Sequence, residues 1–447
     1  MRFVFYLIFI AGIGNAVLRP EVGNPLTLYR FLAPLGLLLV MAIRPMMVLK
    51  SIAAFVGFLV YNLALVSAYS DNYAEYIQSM VHYFYLFILL VMMMGMKSRY
   101  TDFEAQFVRF ISAFFVFLLL NLFIEWFIGP YYPNLDVDNT GARSVRAFFW
   151  NQNDLAVVIC VITWVALALD RFQGPLRVMV VLATIAILWH NDSKAALVSL
   201  LLVTLPVFYI AQISAKRFIS RSVWLLLFGT MALLVAIGAY ALRTADLPFV
   251  NETYTLEDLL IRPITRILTL DATGETWGSL NNRTDASIFV IIEYIRSFGF
   301  GLGAGGSWLV LSLPQYELGG ARSPHNALLQ LTVDFGYPVL LGYSYLMYWA
   351  LRKLFTPMIT ESQRLKVIAV LSFPLLGLSQ SGAIVTNYFC FGVLCFIWLL
   401  DRPVPFFRGQ VTTPPKARQR EETPEQIAAP KGRGTQVTGS LSSVHPL

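Results

Sequence analysis

Between residues 243 and 325 the chain uses arginine and no lysine: Arg243, Arg262, Arg266, Arg283, Arg296 and Arg322 punctuate the stretch, and Arg143 and Arg146 punctuate a shorter one, 129–154. The choice matters chemically. A guanidinium presents a planar fork of donors that grips two phosphate oxygens at once and keeps its charge in a partly dry site. A diphosphate is the ligand that suits such a set. The same stretch holds Asp246, Glu252, Glu257, Asp258, Asp271, Glu275, Asp285, Glu293 and Glu317, so internal ion pairing is the competing use of any single arginine.

His325 stands in "ARSPHNALLQLTVDFGYP", three residues after Arg322 and next to Asn326. A neutral imidazole there can take a proton from an attacking hydroxyl. The competing role is structural, because Pro324 before it and the apolar run after it also fit the start of a helix. His82 lies in an aromatic run and reads as packed. His190 belongs to "WHNDSKAALVSL", where Asn191, Asp192 and Ser193 can cap the next helix and Lys194 opens it, an ammonium placed either to snorkel or to hold phosphate. The glycines of "GLGAGG" (Gly301, Gly303, Gly306) match the dinucleotide fingerprint in letters, but no strand is expected before them, so a flexible turn is the expected structure. Asp136 and Asp138 could begin a divalent-metal shell, yet no second carboxylate cluster lies nearby, and no metal is expected.

These residues need a scaffold, and composition says which. Hydrophobic residues make up 57% of the 447 and charged ones 13%, with a mean hydropathy of +0.64, too apolar for a soluble globular chain. Apolar runs of bilayer-crossing length recur at 3–18, 26–43, 51–68, 76–96, 106–128, 155–169, 176–189, 195–213, 223–242, 327–351, 365–380 and 384–400, about twelve helices in an all-α polytopic membrane fold. The first of these resembles a signal peptide, but the many spans that follow favour a first transmembrane helix. The net charge of +7 is read as topology rather than as a nucleic-acid footprint. Basic residues gather in alternate short loops (Arg44 and Lys50; Lys97 and Arg99; Arg171 and Arg177; Lys216, Arg217 and Arg221; Arg352, Lys353, Arg364 and Lys366). Those loops are expected to be cytoplasmic, with both termini, which leaves 129–154 and 243–325 outside. The larger outer loop carries an amphipathic stretch, with Ile288, Ile291, Ile292, Ile295 and Phe298 on one face and Glu293 and Arg296 on another, expected to lie against the membrane domain. Residues 1–128 thus form an N-terminal group of spans and 129–401 a second region with the large loop. The tail 402–447, rich in Pro, Gly, Thr and charge, is expected to be disordered. Cys160, Cys390 and Cys395 fall inside apolar runs as small hydrophobes.

Three segments in this order resemble the O-antigen ligase/polymerase family: "RAFFWNQNDLA" (146–156), "NDSKAAL" (191–197), and "NNRTDASIFVIIEYIRSFGFGLGAGG" (281–306) followed by "SPHNALLQL" (323–331). The resemblance covers roughly 143–401, and the first five spans match only in character. It implies a GT-C-like membrane fold and metal-independent, inverting glycosyl transfer in a bacterial inner membrane. The donor would be an undecaprenyl-diphosphate-linked glycan and the acceptor a glycan or lipid, with no cofactor and no nucleic acid. A chain-length regulator or flippase would be the protein partner. The family's loop histidine falls on His325 and its arginine ahead of the amphipathic stretch on Arg283. Lys194 stands where the family usually has arginine, keeping the charge and losing the fork, and Gln152 where proline is common. Arg143, Arg146, Arg262, Arg266 and Arg322 complete the expected diphosphate-binding set. Polymerisation of polysaccharide repeats is the expected activity, with ligation of finished glycan to a lipid core as the alternative. A transporter or flippase, the rival from another class, predicts charges at mid-membrane and paired repeats. Here the polar residues concentrate in outer loops.

Overall fold

In lipid every backbone polar group must be satisfied within the chain, so apolar runs of this length become helices. The computed structural model describes residues 2–13, 28–69, 73–128, 147, 149, 152–169, 175–191, 193–216, 246–248, 253–255, 262–271, 279–313, 316, 324, 326–355, 360–379 and 387–401. Its helices are α1 (Arg2–Ile13), α2 (Leu28–Ile43), α3 (Pro45–Tyr69), α4 (Tyr73–Arg99), α5 (Phe103–Ile128), α6 (Gln152–Ala168), α7 (Pro175–His190), α8 (Lys194–Val198) and α9 (Leu205–Lys216). A π-helical segment, Ser199–Thr204, joins the last two. Then follow α10 (Arg262–Thr269), α11 (Ser279–Arg296), α12 (Gly306–Ser312), α13 (Ala327–Phe335), α14 (Tyr337–Leu354), α15 (Glu361–Leu376) and α16 (Tyr388–Leu399). Each expected span carries a helix except 223–242, which lies outside the described residues, as does the expected tail 402–447. Four helices, Pro45–Val66, Tyr76–Arg99, Phe103–Ile128 and Ala195–Gln212, are long and apolar enough to cross a membrane on their own. The chain is a helical membrane protein. A small antiparallel ladder, Asp246–Pro248 against Thr253–Thr255, decorates the long loop.

Packing explains the contacts between spans. Gly36 and Gly95 let α2 and α4 meet closely, since a Cβ on Gly95 would stand 2.6 Å from Val40 and one on Gly36 would strike Met92. Hydroxyls supply polar adhesion in the interior. Thr163 and Thr184 pair at 2.8 Å, Thr204 pairs with Ser372 at 2.8 Å and receives the Trp164 indole N–H at 3.3 Å, and Ser199 donates to the Ser372 carbonyl. This network ties the π segment to α6 and α15, and the widened turn is what brings both Ser199 and Thr204 onto the α15 side. The outward faces are apolar, as lipid requires: Val60, Leu120, Phe123 and Leu341 are all exposed. All three cysteines are buried and free.

Two expectations change. The single span expected over 327–351 breaks at Gly336 into α13 and α14, because Gly336 adopts φ 69° and ψ −148°, a region that only glycine enters easily. The amphipathic helix α11 exists, but its buried stripe is not the expected one. Ile288 is fully buried, whereas Ile295 and Phe298 are 58% and 77% exposed. The reason is tertiary: α10, α12 and α13 all pack on α11 and bury Asp285, Ala286 and Val290, while its carboxyl end runs past them. Phe300, just beyond, meets the ring of Tyr337 edge-on at the start of α14.

Candidate functional site

The glycine-rich turn was expected to be flexible and is instead a buried clasp. It follows helix α11, not a strand, which removes the dinucleotide reading. Its amides bond the α13–α14 break: Leu302 N–H donates to the Val333 carbonyl at 2.9 Å, Gly303 N–H to the Asp334 carbonyl at 2.8 Å, and Tyr337 N–H to the Gly299 carbonyl at 3.0 Å. Side chains are excluded here because a Cβ on Gly336 would come within 2.0 Å of the Phe300 carbonyl oxygen. Asp334, buried, accepts from the Ser307 N–H at 2.9 Å and so caps α12. From the other side α3 grips the turn, Asn62 accepting from Ala304 N–H at 3.1 Å and Tyr61 donating to the Phe335 carbonyl at 2.9 Å.

With this clasp as a fixed point, α11 and α13 run in the same sense. At 1.5 Å per residue, Arg283 lies about 24 Å back from Gly299 along α11 and Asn326 about 15 Å back from Gly336 along α13. Arg283 lies on the helical stripe of Ala286 and Val290, three and seven residues on, and that stripe packs on Leu329 and Val333 of α13. Arg283 is thus half-buried on the face of α11 that packs on α13. No carboxylate pairs with it among the described residues, and burial pushes its guanidinium pKa below the usual value. A cation held in that way is suited to an anionic ligand.

The start of α13 has a second set of neighbours. Asn326 caps it, accepting from the Leu329 N–H at 3.0 Å. Beside it runs a short 3-10 turn, Gly377–Ser379, so close that a Cβ on Gly377 would lie 3.3 Å from that of Ala327. The same turn packs on α8, whose first residue is Lys194, and on α6. α6 in turn meets the start of α16, where Asn387 caps the helix and Asp154 comes within electrostatic reach of Cys390. The starts of α8 and α13 therefore meet at one short turn, which also packs on α6. Of Lys194 only the backbone is described, and His325, Arg143, Arg146 and Arg322 lie outside the described residues, as do Asp136 and Asp138.

The other described arginines of the loop have different employment. Arg266 is buried, its fork turned to Asp285 and its Nε–H donating to the Asp271 carbonyl at 3.2 Å. It pins α10 to α11, the internal pairing that the loop's carboxylates made the competing use. Arg296 pairs with Glu293, which also accepts from the Tyr316 hydroxyl. Arg262 is exposed on the first turn of α10. Ser193 occupies the cap position of α8 but its hydroxyl makes no capping bond. His190 stacks on Trp126 at 4.1 Å, and His82 sits against Tyr388, whose hydroxyl is 3.4 Å from Nδ1.

Sequence reasoning missed three ionisable residues inside apolar runs. Arg30 lies over the Tyr85 ring at 5.6 Å, next to the His82 and Tyr388 cluster. Glu125 is buried in α5 and accepts from the Ala147 N–H, which anchors the chain that leads to α6. Asp334 is the third. A charge within a span is itself the signal, since such a residue needs a partner in the bundle. Among the described residues no three His, Cys, Asp or Glu side chains gather as a metal shell. No protein-family model matches this chain, and no curated protein matches it at a significant level.

Proposed function

We propose that the protein is a polytopic inner-membrane glycosyltransferase of the O-antigen ligase/polymerase type, with about twelve spans in a GT-C-like arrangement and its site on the face opposite the lysine-bearing helix ends. Support comes from one observation above others: Arg283, half-buried and without a carboxylate partner among the described residues, lies on the face of α11 that packs on α13, the helix whose start shares the 377–379 turn with the start of α8. The resembling segments supply the rest, because His325, Lys194 and Arg283 are the residues on which they fall.

In this reading a lipid-diphosphate glycan enters from the outer leaflet. An acceptor hydroxyl attacks the anomeric carbon, its proton passes to His325, and the bond from that carbon to the diphosphate oxygen breaks with inversion. Arg283 and Lys194, with Arg322, Arg143 or Arg146 in support, neutralise charge growing on the leaving diphosphate, and this electrostatic contribution is usually the largest in such sites. Cations then do the work that a metal does elsewhere. Arg266 takes the structural part described above, and Arg262 remains a candidate for the phosphate. Polymerisation of repeat units is preferred to ligation onto a lipid core.

The test uses purified full-length protein in lipid with a lipid-diphosphate glycan. His325→Ala is expected to lower turnover by on the order of a hundredfold while donor binding survives, and Arg283→Ala to weaken both. A His325→Gln protein with near-normal turnover would remove His325 from catalysis. In cells, loss of the gene should leave single repeats on the carrier or core; long glycans left unattached to core would instead indicate a ligase.

A further inference from the structure

At the lysine-rich end of the bundle, far along the helices from the site above, the structure contains a cavity of about 840 Å³. That lies within the roughly 300–1,000 Å³ typical of small-ligand sites. Its lining includes apolar side chains, Val108, Leu169, Trp349 and Phe396, and both signs of charge, Lys353 and Lys366 with Glu361 and Asp401. We infer that this cavity is a binding site for the headgroup of a phospholipid that bears a primary ammonium beside its phosphate, a phosphoethanolamine group.

The charge account of the lining selects that chemistry. Glu104, also on the wall, is paired with Lys97 at 2.7 Å. Lys97 and Lys366 both donate to the last carbonyls of α16, those of Leu399 and Leu400, where the helix end is partially negative. These lysines are held by the protein. Lys353 on α14 and Asp401 beyond α16 make no ion pair among the described residues, and they are opposite in sign. A purely anionic ligand would meet Asp401, and a purely cationic one Lys353. A group with a phosphate for Lys353 and an ammonium for Asp401 answers both.

The surroundings point to lipid rather than to a solute. Trp349 stands one helical turn before Lys353, the pairing of an aromatic ring with a snorkelling cation that marks headgroup depth. Tyr348 and Leu351 on the same helix are 62% and 45% exposed, so α14 turns an apolar flank outward beside the cavity. The lining spans α5 and α14, which pack mainly on other helices, α4 and α6 for the first and α13, α15 and α9 for the second. The cavity lies where these two helices approach the start of α15 and the end of α16, and acyl chains would follow the apolar flanks. This inference is independent of glycosyl transfer.

The test is retention of defined lipids by the full-length protein. Protein in nanodiscs of phosphatidylcholine doped with phosphatidylethanolamine or with phosphatidylglycerol is released for native mass spectrometry, and the thermal midpoint is followed in parallel. Phosphatidylethanolamine is expected to be retained over the other two by about tenfold, the scale of one charge-assisted hydrogen bond. The quaternary ammonium of phosphatidylcholine cannot donate to Asp401, and phosphatidylglycerol has no cation. Lys353→Ala with Asp401→Asn should abolish the preference while the midpoint in pure phosphatidylcholine stays unchanged; asparagine tolerates the φ of 54° at position 401. Equal retention of all three lipids, or a preference that survives the double substitution, would overturn the inference. So would equal protection by water-soluble glycerophosphoethanolamine, which would make the apolar lining irrelevant.

Discussion

The Arg266–Asp285 pair offers a direct way to separate a structural arginine from a phosphate-binding one. Asp285 is wholly buried and the Arg266 side chain is 9% exposed, so neither charge can turn to water if its partner is removed. Breaking a buried pair from one side costs about 3–5 kcal/mol, most of it the stranded charge. Asp285→Ala should therefore lower the thermal midpoint in nanodiscs by roughly 6 °C or more, at ~2 °C per kcal/mol for a cooperative unit. Proteolysis should find α10 released from α11. Replacing both partners, Arg266→Met with Asp285→Leu, removes the charge and the need for it, and should restore the midpoint to within about 1 kcal/mol of the parent. Donor binding by the double variant is the deciding measurement. Near-parental binding agrees with Arg266 as a pin between helices. A double variant that folds but no longer binds a lipid diphosphate would refute this and return Arg266 to the ligand-binding set. A single variant with an unchanged midpoint would refute the structural role itself.

Gly336→Ala should abolish recovery of folded protein, because its Cβ would overlap the Phe300 carbonyl and the backbone there cannot yield, whereas Gly342→Ala, with open space around it, should be neutral. Size-exclusion yield of the two variants checks this. A reporter fused near residue 274 should be active only outside the cytoplasm and one after residue 409 only inside; the reverse pattern would sink the site assignment. Chelation by EDTA, and Asp136→Asn with Asp138→Asn, should leave transfer largely intact; activity lost and then regained on adding magnesium or manganese would assign the paired carboxylates to a metal. Lys194→Arg should be tolerated in turnover assays, since it keeps the cation and adds the fork, while Arg283→Lys should recover little of what Arg283→Ala loses.

The positions of the described apolar helices were legible because lipid leaves an apolar run no choice but a helix. The break at Gly336 was not, although "DFGYP" contains both a glycine and a proline. Pro338 sits in the first turn of α14, where proline is compatible with a straight helix, so the break depends on the left-handed φ of Gly336 and on the clasp that needs it. The buried face of α11 was misjudged for a related reason. Its isoleucines repeat with helical spacing, but three neighbouring helices decide which of them are buried and which are exposed. Sequence offered Arg266 several carboxylates in the same loop, and nothing local distinguishes Asp285, nineteen residues away, from the others. Charges inside apolar runs were the neglected signal: Arg30, Glu125 and Asp334 each proved to lie at a junction between helices.

Two residues apart on α11, Arg283 and Asp285 show how one helix can serve structure and ligand together. At about 100° per residue their side chains leave the axis roughly 200° apart. Asp285 points to α10 and is consumed by Arg266; Arg283 points with Ala286 and Val290 to α13. The pairing of Asp285 thus fixes the rotation of α11 about its axis, and that rotation decides where Arg283 looks. The clasp at Gly299 and Tyr337 fixes the same helix along its length. Rotation and register are both set by contacts that involve neither Arg283 nor the start of α13, and the cation is held half-buried with no carboxylate paired to it among the described residues. A loop of free arginines would collapse onto its many carboxylates, as Arg296 does onto Glu293. Arg283 pairs with none of those described, and the contacts that fix α11 hold it in that position.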